Sequence, residues 1–268
     1  MSKIDNLSGF VVVTGASSGI GLELARLAAS DGCDLLLVAD RDLSQAERSA
    51  RECGAGSVET LNCDLGSSTG IEDVMRAVGD RKVDALIANA GHGQGGAFLD
   101  QQWDEIKGVI DTNVTGTVSL IHKIGQGMRD RDAGRILVTG SIAGHMPGAF
   151  QLVYNSTKAF IDDFCVGLAN ELKASSVTIT CLLPGVTDTL FFERAGLENT
   201  NVGQSESKAD PAKVAKDGYK ALLSGETQVV SGFMNKVQSV FADILPDELV
   251  AQMHRRMAEP KHGETEKT

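Results

Sequence analysis

Apolar residues along this chain alternate between short, nearly continuous runs and longer stretches with helical spacing. The runs at 10–14, 34–39, 57–63, 83–88, 135–140 and 177–183 are rich in Val, Ile, Leu and Ala, and a weaker seventh lies at 228–231. A strand with one wet face alternates apolar and polar residues, whereas a strand covered on both faces does not, and most of these runs are of the second kind. Between them, 19–30, 44–53, 71–79, 103–130 and 154–174 carry the helical period. The alternation predicts one α/β domain over 1–268, a three-layer, doubly wound parallel sheet of about seven strands with helices on both faces.

Two segments depart from this rhythm. Residues 190–210 are polar and rich in Asn, Ser and Glu, open with Phe191 and Phe192, and end at the helix start Asp210-Pro211; they are expected to form a mobile substrate lid. In 232–258, Phe233, Met234, Val237, Val240, Phe241, Ile244 and Leu245 fall at helical spacing, so this C-terminal segment is expected to pack on the domain rather than on a neighbouring subunit or a membrane surface. The charged tail 260–268 is expected to be disordered.

Composition narrows the partners. Lys+Arg number 25 against 36 Asp+Glu, and the resulting charge of −11 repels phosphate backbones, so nucleic acid is not an expected partner. No apolar run approaches the roughly 18 residues of a membrane span, and the first ten residues lack a signal-peptide core, which together predict a cytoplasmic protein. The five cysteines contain no C-x-x-C pair, and His92, His122, His254 and His262 lack zinc-ligand spacing, so no metal is expected.

Candidate chemistry begins at the first strand-to-helix turn, where Gly15, Ser17, Ser18, Gly19, Ile20 and Gly21 form a G-x-x-x-G-x-G loop. Glycines there let the backbone approach a pyrophosphate, which the helix N-terminus attracts through free N–H groups and its positive dipole end. Asp40 ends the second strand, 19 residues past Gly21, where a carboxylate would bind ribose hydroxyls and repel a 2′-phosphate; this favours NAD. Arg41 follows at once and offers the alternative, NADP, while a plain solvated loop is the third reading.

Ser141 follows the fifth strand, and Tyr154 and Lys158 stand four residues apart on a predicted helix, hence on one face. An ammonium about 4 Å from a phenolate at an effective dielectric of about 20 is worth roughly 4 kcal/mol, or about three pKa units. That places the expected phenol pKa near 7, where a general acid/base works well, with the Ser141 hydroxyl stabilising the same substrate oxygen. His145, Met146, Phe150 and Gln151 are expected to line the substrate pocket with Phe191 and Phe192. A Ser/His hydrolase is not supported, since no G-x-S-x-G elbow is present.

The order and spacing of Thr14 to Gly21, Asn89-Ala90-Gly91, Asn113, Ser141, Tyr154, Lys158 and Pro184-Gly185 resemble the single-domain short-chain dehydrogenase/reductase family over about residues 8–232. The resemblance implies a Rossmann-type fold and NAD(P)-dependent interconversion of a secondary alcohol and a ketone. By the same resemblance, Tyr154 exchanges the proton, Lys158 lowers its pKa and holds the nicotinamide ribose, Ser141 fixes the substrate oxygen, and Asn113 supports a water-linked proton relay. Asn89, Ala90 and Gly91 would flank the adenosine side, and Asp64, next to Leu65, the adenine. Pro184, Gly185, Val186, Thr187 and Thr189 would flank the nicotinamide. A homo-oligomer, dimer or tetramer, is implied as well. A non-catalytic NAD(P)-binding regulator and an NAD-dependent epimerase or dehydratase are the alternatives.

Overall fold

A computed structural model describes residues 3–232 and 245–261. Phe233, Met234, Val237, Val240, Phe241, Ile244 and His262, with the tail from 262 onward, lie outside the described residues.

The first half of the chain runs β1 (Phe10–Thr14), α1 (Gly19–Ser30), β2 (Asp34–Ala39), α2 (Ser44–Glu52), β3 (Ser57–Asn62), α3 (Ser68–Val78) and β4 (Val83–Ala88). The second continues through α4 (Trp103–Ile110), α5 (Thr117–Asp130), β5 (Gly134–Thr139), α6 (Leu152–Glu171), β6 (Val177–Leu183), α7 (Phe191–Arg194), α8 (Pro211–Ser224), β7 (Gln228–Val230) and α9 (Asp247–Ala258). All strand pairings are parallel, in the order β3-β2-β1-β4-β5-β6-β7. Strand bounds agree with the predicted runs to within a residue; the inner strands are largely apolar, as a sheet covered on both faces requires, while the edge strand β3 leaves Ser57, Glu59 and Thr60 exposed.

The side chains of β1 show the covering directly. Val11 and Val13 enter a core completed by Leu24, Ala28, Ala46 and Leu222 from α1, α2 and α8. Val12 and Phe10 enter a second core with Val74, Leu120 and Ile161 from α3, α5 and α6. Each large aliphatic side chain removed from water in these layers contributes about 1.5–3 kcal/mol. The sheet order reverses between β1 and β4, and in such sheets the crevice past the strand C-termini at that point is where ligands bind.

Two helix boundaries carry readable chemistry. Asp210 caps α8 by accepting the Ala212 N–H at 2.9 Å, with Pro211 in the first turn, as its sequence predicts. Ser67 likewise caps α3, accepting the Gly70 N–H at 3.0 Å, so this helix starts at Ser68 rather than at 71.

The expected helix over 103–130 is interrupted: Asp111–Gly116 form a wider π-helical turn between α4 and α5. Apolar periodicity continues across it, so the spacing alone did not mark the break. The segment 190–210 holds α7 and a small core of Phe192, Ala195 and Leu197. Its base is closed where Asp188 N donates to Ala209 O and Ala209 N to Val186 O, each at 2.9 Å. Its far side is tied to the end of α9, Val202 N donating to Met257 O at 3.0 Å. Among the described residues no helix is long and apolar enough to cross a membrane, and no cluster of metal ligands occurs.

Candidate active site

One cavity of about 420 Å³ opens past the ends of β1, β2, β4, β5 and β6. Its floor is the first loop. Gly15 and Gly19 adopt φ of +65° and +58°, left-handed geometry that glycine reaches without strain. Gly15, Ser17, Ser18, Gly19 and Ile20 line the cavity. Gly21 does not line it: a Cβ there would stand 2.2 Å from the Gly15 carbonyl oxygen, so its bare backbone is what lets α1 close against the loop.

Thr14 and Asn89 hold that floor to the sheet. The Thr14 hydroxyl oxygen accepts the backbone N–H groups of Asn89 and Ala90 at 3.0 and 3.1 Å. Asn89 donates its side-chain amide to Gly15 O at 3.3 Å and accepts the Thr139 hydroxyl at 3.0 Å, joining the ends of β1, β4 and β5. Asn89, Ala90 and Gly91 line the cavity beside Asp64 and Leu65. Asp40 and Arg41 form its outer rim, both exposed, with Arg41 Nε 3.8 Å from Asp40 Oδ1. On the other side Pro184, Gly185, Val186, Thr187 and Thr189 complete the wall after β6. Left-handed glycines at a helix N-terminus, with a carboxylate at the end of β2, are features that would suit a dinucleotide, its pyrophosphate attracted by the free N–H groups of α1.

Ser141, Tyr154 and Lys158 meet on this same cavity. Lys158 is buried and donates to Thr139 O at 2.7 Å, with Nζ 5.8 Å from the centre of the Tyr154 ring. Ser141 begins the short 3₁₀ turn Ile142–His145, its Oγ accepting the Ala143 N–H at 3.1 Å. Asn113 stands behind the wall rather than on it. Buried in the π-helical turn, it donates to His92 O at 2.9 Å and Thr157 Oγ1 at 3.1 Å, and its Oδ1 accepts His92 N–H at 3.0 Å. The turn thus exchanges regular helix pitch for an inward-facing amide that clamps the chain after β4 to α6.

The phenol corrects one expectation. Instead of falling towards 7, Tyr154 is pushed up to about 12, since desolvation of the phenolate dominates and nearby Asp162 adds to it, against a hydrogen bond from Ser141. The attraction of the Lys158 ammonium is outweighed by the cost of removing the phenolate from water. Burial likewise lowers the Lys158 pKa, while the negative charge of Asp162 opposes that fall.

Of the expected pocket residues, Met146, Gln151, Phe191 and Phe192 line the cavity, with Phe191 packed on Tyr154 at a ring separation of 4.9 Å. His145 and Phe150 do not line it. Phe150 takes φ +65°, and its ring lies under the Arg255 guanidinium at 5.3 Å; His145 closes the 3₁₀ turn and acts electrostatically on Asp162. The sequence reading missed His254 and Met257 from α9, Val202 and Arg194 from the 190–210 segment, and His92. His254 is buried and lies 100 positions from Tyr154, so no local pattern linked the two.

This arrangement has relatives. A family model described as short chain dehydrogenase matches residues 9–199. The chain is 36% identical over 191 residues to human (Homo sapiens) 17-beta-hydroxysteroid dehydrogenase type 1, a match covering 69% of this chain, and it spans 58% of that relative's length. It is 34% identical over 193 residues to the NADP-dependent mannitol dehydrogenase of Alternaria alternata, covering 67% of this chain and 70% of that one. Among solved structures, a short-chain dehydrogenase from Sphingobium yanoikuyae in complex with NADPH superposes with a TM-score of 0.77 at 28% identity, covering 89% of this chain and 96% of that one. The matched span holds the glycine loop, Ser141, Tyr154 and Lys158 at one cavity with Asn113 behind its wall, and the chain belongs to the short-chain dehydrogenase family.

Proposed function

We propose that the protein is an NAD(P)-dependent oxidoreductase interconverting a secondary alcohol and a ketone. The observation that carries this reading is the meeting of Ser141, Tyr154 and Lys158 on the cavity whose floor is the glycine loop. Bound there, the nicotinamide supplies or accepts the hydride. Tyr154 gives its proton to the ketone oxygen in reduction and takes it back in oxidation. The Ser141 hydroxyl holds that oxygen as it gains charge, and Lys158, anchored on Thr139 O, stabilises the phenolate through its ammonium. A phenol pushed up to about 12 retains its proton at neutral pH, which suits the donor role.

NAD is the preferred form in this reading. A carboxylate at the end of β2, such as Asp40, would repel a 2′-phosphate, and the Arg41 guanidinium on the same rim is paired with it at 3.8 Å. NADP is the second reading, favoured by Arg194, which brings another guanidinium to the same cavity within reach of the Arg41 charge.

The substrate is proposed to be hydrophobic and steroid-like. Met146, Leu190, Phe191, Phe192, Val202 and Met257 give the catalytic end an apolar wall, and the human relative is named for a hydroxysteroid. A homo-oligomer is proposed too, since Trp103 on α4 and Phe160 and Val166 on α6 leave apolar surface 65%, 48% and 43% exposed.

Parallel fluorescence titrations with NADH and NADPH, followed by a screen of secondary alcohols and ketones that includes hydroxysteroids, test the whole. Tighter NADH binding and turnover of an apolar alcohol are expected. Binding of neither nucleotide would defeat the oxidoreductase reading, and a monomer mass in solution the oligomer.

A further inference from the structure

Tyr154, Lys158 and Asp162 occur at successive intervals of four along α6, so they share one face of it. Only 5% of Asp162 is exposed, and the loop after β5 is wrapped around its carboxylate. A Cβ on Gly140 would stand 1.9 Å from Asp162 Oδ1, and one on Gly144 2.4 Å from Oδ2, so no side chain fits between loop and carboxylate. Among the described residues two donors reach it, the Ser141 backbone N–H and the Cys181 thiol, the latter 3.4 Å from Oδ1. Oδ2 is buried and has no hydrogen-bond partner among the described residues. The titratable groups acting on it are Lys158 on α6, His145 on the 3₁₀ turn and Cys181 on β6, and it acts in turn on Tyr154.

A buried carboxylate with an unsatisfied oxygen is costly, and such a group persists where its charge is used. We propose that Asp162 is a positioning residue for the reaction: its carboxylate pins the Ser141 loop to α6 and supplies the buried negative charge that keeps Lys158 cationic beside Tyr154. The catalytic half of this statement rests on the oxidoreductase reading. The electrostatic half holds in a protein that turns over nothing.

Desolvation pushes the Asp162 carboxyl up to about 7, so its ionisation falls inside the working pH range. A folded-state pKa above the unfolded one means the native state binds more protons between the two values, and the stability due to this group is lost as pH rises from about 4 to about 7.

The test compares wild type with Asp162→Asn, which keeps the shape and an acceptor for the Ser141 N–H. Two readouts are taken, melting temperature from acid to neutral pH and the pH profile of kcat on an alcohol found in the screen. The melting temperature of Asp162→Asn should gain on wild type steadily as pH rises towards 7. Its kcat should fall about tenfold above pH 7 and lose the inflection near 7, while Kd for NADH stays within about twofold. A constant offset in melting temperature, or a retained inflection, would overturn the proposal. Should Asp162→Asn fail to fold, Cys181→Ala removes one donor and should move both transitions to higher pH, whereas Cys181→Ser should restore them; unmoved transitions in Cys181→Ala overturn it equally. If no alcohol or ketone is turned over, the oxidoreductase reading fails, and the melting comparison still decides the role of the Asp162 charge.

Discussion

Asn155, the residue after the candidate proton donor, gives its side-chain amide to Nε2 of His254 at 3.2 Å, across 99 positions of sequence. Nδ1 of the same ring stands 2.9 Å from the Ala149 carbonyl, which can only accept, so Nδ1 carries the proton and Nε2 is the acceptor. The same amide nitrogen also donates to Met146 O at 3.0 Å, which fixes the orientation of Asn155. One neutral imidazole therefore joins α9 to the loop that forms the substrate end of the cavity.

This neutral ring predicts an acid-sensitive contact. Burial lowers the His254 pKa below its ordinary value, outweighing the Ala149 hydrogen bond, so the contact is fully present above the unfolded value near 6.5 and is lost as pH falls below it. His254→Ala should cost about 2 kcal/mol at pH 8, from two lost hydrogen bonds and a cavity. That difference from wild type should shrink towards pH 5, as followed by thermal melts of both proteins; a pH-independent difference would contradict the assignment.

Tyr154→Phe removes the phenol oxygen and keeps the ring contact with Phe191. Turnover should drop by at least about a hundredfold, while NADH affinity stays within about twofold. Steady-state kinetics beside a nucleotide titration check this, and retained turnover would require a different proton donor.

Gly21→Ala forces a methyl against the Gly15 carbonyl, a backbone atom that cannot swing away. The expected loss is about 1–3 kcal/mol of stability with weaker nucleotide binding, since α1 must back out of the loop it closes. Denaturant unfolding and NADH titration of the variant measure both effects together.

Asp40→Ser removes the charge that opposes a 2′-phosphate and frees Arg41 from its neighbour. The NADPH to NADH affinity ratio should rise by about tenfold or more, equivalent to about 1.4 kcal/mol. An unchanged ratio would remove Asp40 from cofactor choice.

Most of this architecture could be read from the chain because its signals are local. Short apolar runs such as Val11 to Val13 and Leu35 to Ala39, bounded by turn residues, read as doubly covered strands, and Gly19 with Gly21 marks a loop closing on a helix. Effects that depend on distant atoms could not be read. Asn113 was legible only through the resemblance, and its position behind the wall was not, because the backbone of His92, which holds its amide, comes from another element. The Tyr154 titration was misjudged in direction because Lys158 is visible four residues away, whereas the enclosing walls, Asp162 among them, are assembled only by folding. His254 was set aside as a lone histidine because its partners, Ala149 and Asn155, lie on the far side of the chain.

The π-helical turn at Asp111–Gly116 bears on how this protein tolerates insertion and deletion. Such a turn holds one residue more than the α pitch accommodates, and each residue rotates an α-helix by about 100°. Removing one residue here would let α4 and α5 fuse into a single uninterrupted helix, a more regular element in isolation. The same change would swing Asn113 away from His92 and Thr157 and release the chain after β4. Local helical stability and the geometry of the site therefore favour opposite lengths at this point, and a variant shortened there should gain helix while losing its grip on the cofactor cleft.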